Sequence, residues 1–126
     1  MIYGIGTDIV QVSRLQASLD RYGQRFAGRI LAEVELERFN RYARPAHFLA
    51  KRYAAKEAVA KALGTGFRDG LSLRHIIVIN DELGRPALQF IDMARTLVDR
   101  FQITGSHLSL SDENDYAVAM VVLEAE

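Results

Sequence analysis

The sequence predicts an α+β fold: a mostly antiparallel sheet packed against a long central helix, in a single domain spanning residues 1–126. Three observations carry this. Helical periodicity fills the first half, whereas the second half alternates β-branched runs with turn residues. Strands and helices are thus segregated rather than alternating, which favours an antiparallel sheet. One run, Ala46 to Leu63, contains neither glycine nor proline and is rich in alanine, as a long helix requires.

The elements follow in order. Ile2 to Val10 is β-branched and carries Gly4 and Gly6, so it reads as an opening strand on which another backbone can approach closely. Ser13 with Gln16 three residues on predicts a capped helix, with Leu15, Leu19 and Tyr22 inward and Arg14 and Arg21 off that face. Gly23 ends it. A short segment from Arg25 to Leu31 and a helix from Ala32 to Tyr42 follow. Pro45 suits the first turn of the long helix, and Gly64 suits its C-terminal cap. Along that helix Ala50, Ala54, Ala58 and Ala62 recur every four residues, a small-residue stripe that admits a close neighbour. His75 to Asn80 and Ala87 to Ile91 read as two strands joined by a turn. Asp92 is placed to cap a helix running to Phe101, with Met93, Leu97 and Phe101 inward. His107 to Leu110 and Tyr116 to Leu123 complete the sheet.

Composition removes several function classes. The chain has no cysteine, hence no disulfide, thiolate metal site or cysteine nucleophile. No apolar run approaches the roughly 18 residues of a membrane span, and the first residues lack a basic lead before an apolar stretch, so a cytoplasmic protein is expected. The net charge is zero but unevenly spread. From Arg14 to Lys61 there are eleven lysines and arginines against five acids; the remainder holds five against eleven. That asymmetry predicts an acidic partner for the first half, or simply solvated helix faces.

The chemistry concentrates on the long helix. Tyr53, Glu57 and Lys61 share a face at four-residue spacing, which alone is an ordinary glutamate–lysine helix pair. Lys56 sits beside Glu57, and Gly64, Thr65 and Gly66 follow Lys61 at once, offering exposed amides and a hydroxyl. The loop sits at a helix C-terminus, where the macrodipole disfavours anions, so its amides alone would not hold phosphate. Asp8, at the end of the first strand, would supply a second carboxylate. Two carboxylates suit an octahedral magnesium ion whose coordination is completed by water and substrate phosphates. Carboxylates, lysine and glycine loop together are the parts that phosphoryl-type transfer needs. His107 shares a strand face with Ser109 and Ser111, where it could meet phosphate or move a proton, or be an ordinary strand histidine.

These segments carry a resemblance. Gly4-Ile5-Gly6-Thr7-Asp8-Ile9-Val10, Phe48 through Ala58, Lys61 through Gly66 and His107-Leu108-Ser109-Leu110 resemble the holo-acyl-carrier-protein synthases, the small phosphopantetheinyl transferases of fatty-acid synthesis. The likeness runs from Met1 to about Glu124 and is specific in its combined order and spacing. It implies transfer of 4′-phosphopantetheine from coenzyme A to a serine of apo-acyl carrier protein, releasing adenosine 3′,5′-bisphosphate. It implies Mg2+ on Asp8 and Glu57, a homotrimer with active sites between subunits, and catalytic roles for Glu57, Lys61 and His107. Around coenzyme A it implies Arg52, Lys61, Gly64, Thr65, Gly66 and His107. Arg14, Arg25, Phe26 and Arg29 would receive the acidic helix of the carrier protein. The chain departs from the family at Asp112, where a second histidine is common. Two other classes compete: a non-catalytic adaptor that binds carrier protein, and a basic nucleic-acid-binding module. Against the latter, the basic residues lack interleaved exposed aromatics and the overall pI is near neutral.

Overall fold

The computed structural model describes residues 1–126. Strand β1 (Ile2–Gln11) is followed by helices α1 (Val12–Tyr22), α2 (Gln24–Ile30), α3 (Glu33–Phe39) and α4 (Pro45–Leu63). A short 3-10 turn (Leu73–His75) leads into β2 (Ile76–Asn80) and β3 (Pro86–Phe90). Then come α5 (Asp92–Arg100), β4 (Ile103–Asp112) and β5 (Tyr116–Ala125). All strand pairs are antiparallel. The main sheet has the order β1-β5-β4, and β2 with β3 forms a separate ribbon. The expected α+β architecture around one long helix is therefore present.

Helix α4 forms the centre. Thirteen of its nineteen residues are buried, which is why its sequence shows no clean polar face. The alanine stripe explains how the sheet reaches it. A Cβ on Gly4 would lie 2.0 Å from the carbonyl oxygen of Ala62, and one on Gly6 would lie 1.9 Å from that of Ala58. Glycine on one side and alanine on the other let β1 lie almost on the helix backbone. The core continues through Val10, Leu15, Phe48, Ala119, Val121 and Leu123.

Two expected caps are corrected. Helix α1 begins at Val12, one residue before Ser13, with Gln11 as its cap and no side-chain bond there. The strand runs straight into the helix, and the Val12 amide is satisfied by the Asp115 carbonyl at 2.8 Å. Gln16 instead donates to Asp20. Tyr22 is exposed, not inward. Likewise Asp92 is inside α5, with Ile91 as the cap and no side-chain cap bond; the Ile91 amide is held by the His75 carbonyl at 2.9 Å. The expected inward residues hold: Leu97 is buried, Met93 and Phe101 pack against the core, and Phe101 stacks on Tyr3 with centroids 5.4 Å apart.

Candidate active site

Along β1, Gly4, Gly6, Asp8 and Val10 face α4, while Ile5, Thr7 and Ile9 face outward. Asp8 is thereby the first polar side chain on the helix-facing row, just where the close glycine contact ends. Its partner is Lys61: Nζ lies 3.1 Å from Asp8 Oδ1 and donates to the Thr7 carbonyl at 2.9 Å. So the lysine crosses to the strand. Glu57, one turn earlier on the same helix face, is half-buried. The Tyr53 hydroxyl is pushed up by burial first, then by the Glu57 charge and hydrogen bond, and also by the Asp8 charge. Both carboxylates thus raise the same phenol, and Tyr53 and Glu57 share the α4 face from which Lys61 reaches Asp8.

The basic surface adjoins that face. Arg14, Leu15, Ser18, Phe26 and Tyr53 line a cavity of about 170 Å³. Tyr22, Arg25, Phe26 and Arg29 line a second, of about 280 Å³. Phe26 is the wall between them, so the arginines of α1 and α2 lead to Tyr53 and from there to Glu57. The largest concavity, about 420 Å³, lies elsewhere, between Ala32, Arg74, His75 and Asp92. Glu33 and Asp92 on its wall bring negative charge beside Arg74, which makes it a poor cradle for phosphate.

Residues 4–121 match the family described as the 4′-phosphopantetheinyl transferase superfamily. The chain belongs to that superfamily. It is 52% identical over 123 residues to the holo-[acyl-carrier-protein] synthase of Hamiltonella defensa, covering 98% of both chains. A crystal structure of the Neisseria meningitidis holo-[acyl-carrier-protein] synthase superposes with TM-score 0.93 at 46% identity, covering 98% of this chain and 99% of that one. The Bacillus anthracis enzyme, solved in complex with CoA (3′,5′-ADP), superposes with TM-score 0.84 at 38% identity over 100% of this chain and 99% of its own.

Several expectations for this transferase change with the geometry. The Gly64 and Gly66 amides are not free for phosphate. Gly64, in the left-handed region at φ +80°, donates to the Ala60 and Lys61 carbonyls at 3.2 and 3.0 Å, and Gly66 donates to Ala60 at 3.3 Å. They close the helix instead. The Thr65 hydroxyl donates to the Gly66 carbonyl at 2.9 Å. Lys61, more than half exposed, is the positive group beside this loop.

Lys56 and Arg52 are not at the site. Lys56 is fully buried and its Nζ donates to Glu35 Oε1 at 2.6 Å and to the Ile30 carbonyl at 2.7 Å. Arg52, expected near coenzyme A, is buried too. Its guanidinium lies 3.9 Å from the Phe48 ring centroid, 3.4 Å from Glu35 and 3.3 Å from the Val78 carbonyl, which it bonds. Desolvation lowers the Arg52 pKa to about 10. Glu35 was invisible as a partner in the sequence because its cations lie 17 and 21 residues away; the only local signal was its place three residues after Ala32, whose amide it caps at 2.9 Å.

His107 is outward-facing on β4, paired across Val122 to Ile5, on the face opposite Asp8 and Lys61. Its Nε2 bonds Glu124 at 2.5 Å, and that contact holds the Glu124 carboxyl below its usual value. One chain alone therefore does not bring His107 to Glu57. Asp112, where the family often has histidine, lies 3.9 Å from Lys51.

Proposed function

We propose that this chain is a holo-acyl-carrier-protein synthase acting at the Asp8–Glu57–Lys61 cluster, with coenzyme A as donor and apo-acyl carrier protein as acceptor. The convergence of two carboxylates and an exposed lysine, in a chain of this superfamily and beside a basic surface, carries the reading. The relatives' names, and the CoA (3′,5′-ADP) bound to one of them, point to the substrates.

In the reaction, the carrier serine Oγ attacks the β-phosphorus of the coenzyme A diphosphate. The bridging P–O bond breaks, adenosine 3′,5′-bisphosphate leaves, and the serine proton passes to the Glu57 carboxylate or to a water beside it. Lys61, held on the Asp8 side of the site, offers positive charge to the bridging oxygen as that bond breaks. Tyr53 flanks the Glu57 carboxylate from one turn earlier on the same helix face. Asp8 and Glu57 fit Mg2+: they are hard oxygen donors, fewer than a full cage, and this ion is normally held by one or two carboxylates with substrate phosphates and water. Bound there, Mg2+ would neutralise the diphosphate.

The proposal includes a homotrimer whose sites lie between subunits. Ile5, Ile9, Val118 and Met120 form an exposed apolar stripe on the outer sheet face, a surface that calls for cover. His107 lies on that same face, so a covering neighbour would bring a histidine to the shared boundary. No helix is long and apolar enough to cross a membrane, and we place the enzyme in the cytoplasm.

Incubating the chain with Mg2+, coenzyme A and apo-carrier, then weighing the carrier by mass spectrometry, tests the reaction. Mass gain equal to phosphopantetheine is expected, lost with EDTA and lost in Glu57→Gln. An unmodified carrier under all conditions would leave an adaptor.

A further inference from the structure

We propose that Lys56 is a positioning residue: its buried ammonium pins the C-terminus of α2 to the catalytic helix and so sets where the docked carrier serine stands relative to Glu57. The inference rests on the reading that α1 and α2 receive the carrier protein.

Lys56 and Glu57 are chain neighbours on α4 that serve opposite sides. While Glu57 faces the site, Lys56 points inward and meets two acceptors on other elements. One is the carbonyl of Ile30, the last residue of α2. The other is Glu35 Oε1 on α3. Glu35 also accepts the Ala32 amide at 2.9 Å and the Val78 amide of β2 at 3.0 Å. One carboxylate therefore joins α3, α4 and β2, and Lys56 extends the junction to α2.

The composition of this junction exceeds what filling the core requires. Two buried cations surround one buried anion, with net positive charge. Buried ions are costly to desolvate, and apolar residues of similar volume often serve stability as well or better. Arg52 already supplies a counter-charge to Glu35. What Lys56 alone supplies is the bond to Ile30.

That bond is one of three that side chains make at the ends of α2: Gln24 also donates to Asn40 at 2.6 Å, and Arg74 donates to the carbonyl of Leu31, just past the helix, at 3.1 Å. The helix is seven residues long, lies after Gly23 at φ +59°, and buries only Ala27 and Ile30. Yet it carries Arg25, Phe26 and Arg29, and Phe26 faces Tyr53 across the cavity beside Glu57. A drift of α2 moves the docking arginines against the reacting carboxylate. Misplacements of about 1 Å can cost a reaction on the order of a hundredfold. Lys61 and the Asp8 contact lie more than a turn further along α4, so coenzyme A binding is not expected to follow α2.

Lys56→Met tests this, because Glu35 keeps Arg52 and two amides while Ile30 loses its donor. The carrier KM should rise at least about fivefold, the lower range of coupling between sites. The coenzyme A dissociation constant, read by calorimetry, should stay within about twofold of wild type, a change too small to register as coupling. Lys56→Gln, which retains a donor for Ile30, should recover most of the carrier KM. It also decides the question should the methionine variant not fold. A carrier KM unchanged in the folded variant overturns the proposal, as does an equal loss of affinity for both substrates. Arg25→Glu runs beside them. If it leaves carrier KM unchanged, the docking reading itself fails; if it raises KM and Lys56→Met does not, only the positioning role fails.

Discussion

Lys61 Nζ stands 3.1 Å from Asp8 Oδ1, joining the last turn of the long helix to the second half of the first strand across 53 residues of sequence. The contact is solvent-accessible on the lysine side, with 55% of that side chain exposed. An exposed pair of this kind stabilises a fold by only about 0–1 kcal/mol. Its geometry is better explained by a charge held ready for a ligand than by stability.

Lys61→Met should therefore separate function from folding. Thermal unfolding should shift by no more than a few degrees, in keeping with a pair worth about 0–1 kcal/mol. The transfer rate should fall by about 10²–10³, the usual cost of removing one transition-state donor. Mass-spectrometric carrier assays and a thermal melt on the same sample check both halves. A large loss of melting temperature with normal rate would reverse the assignment.

Gly6 makes the opposite kind of prediction. A methyl group there would meet the Ala58 carbonyl oxygen at 1.9 Å, and neither backbone can yield without opening the β1–α4 contact. Gly6→Ala should destabilise the chain by about 3 kcal/mol, the upper range for an overpacked core. For a domain of this size that is a fall of roughly 10 °C in Tm. Gly28→Ala, inside α2 with nothing within 4 Å, is the control and should melt at or a few degrees above wild type.

The outer sheet face predicts assembly. Ile9 is 62% exposed in the single chain. Ile9→Glu should leave the monomer folded by circular dichroism but move the sedimentation coefficient from trimer to monomer. Activity should fall with it, because His107 of a neighbour no longer reaches the boundary. A wild-type chain that sediments as a monomer and is fully active would refute this.

Stability should depend on pH through the buried lysine. Desolvation lowers the Lys56 pKa to about 8, only partly offset by Glu35, while the unfolded chain keeps it near 10.5. Below pH 8 the ammonium is charged in both states and its burial cost is present in full. Between pH 8 and 10.5 the folded state has released a proton that the unfolded state retains, so stability from this group rises with pH. Tyr53, whose hydroxyl is raised by burial and then by Glu57, opposes this only above pH 10. Urea midpoints at pH 7.5, 8.5 and 9.5 should climb in wild type relative to Lys56→Met. Parallel trends in the two proteins would contradict the burial cost.

The alanine stripe and the two glycines were legible in advance, because spacing along a helix or strand is a local property. The same holds for Gly64 as a cap, whereas Asp8, expected at a strand end, lies inside β1, which runs on to Gln11. Each follows from a few neighbouring residues and the geometry of one element. The charge asymmetry also survives: the arginines of α1 and α2 do line one surface beside Tyr53.

The identity of each charged residue's partner was not legible. Lys56, Glu57 and Lys61 look alike as a charged run on a helix, and the spacing offered Glu57 and Lys61 to each other. Folding sends Lys61 to Asp8, Lys56 to Glu35 and Ile30, and Arg52 to Glu35 and Phe48. The two expected caps failed for the same reason, since the amides at Val12 and Ile91 found backbone carbonyls from distant segments. Local pattern was enough for the order of the elements and the close strand–helix contact, and the family resemblance supplied the reaction. It took the folded chain to separate the cation that stays exposed beside Asp8 from those spent in the core. Burial and pairing depend on segments that meet only when the chain is folded, and the energy of a charge depends on both.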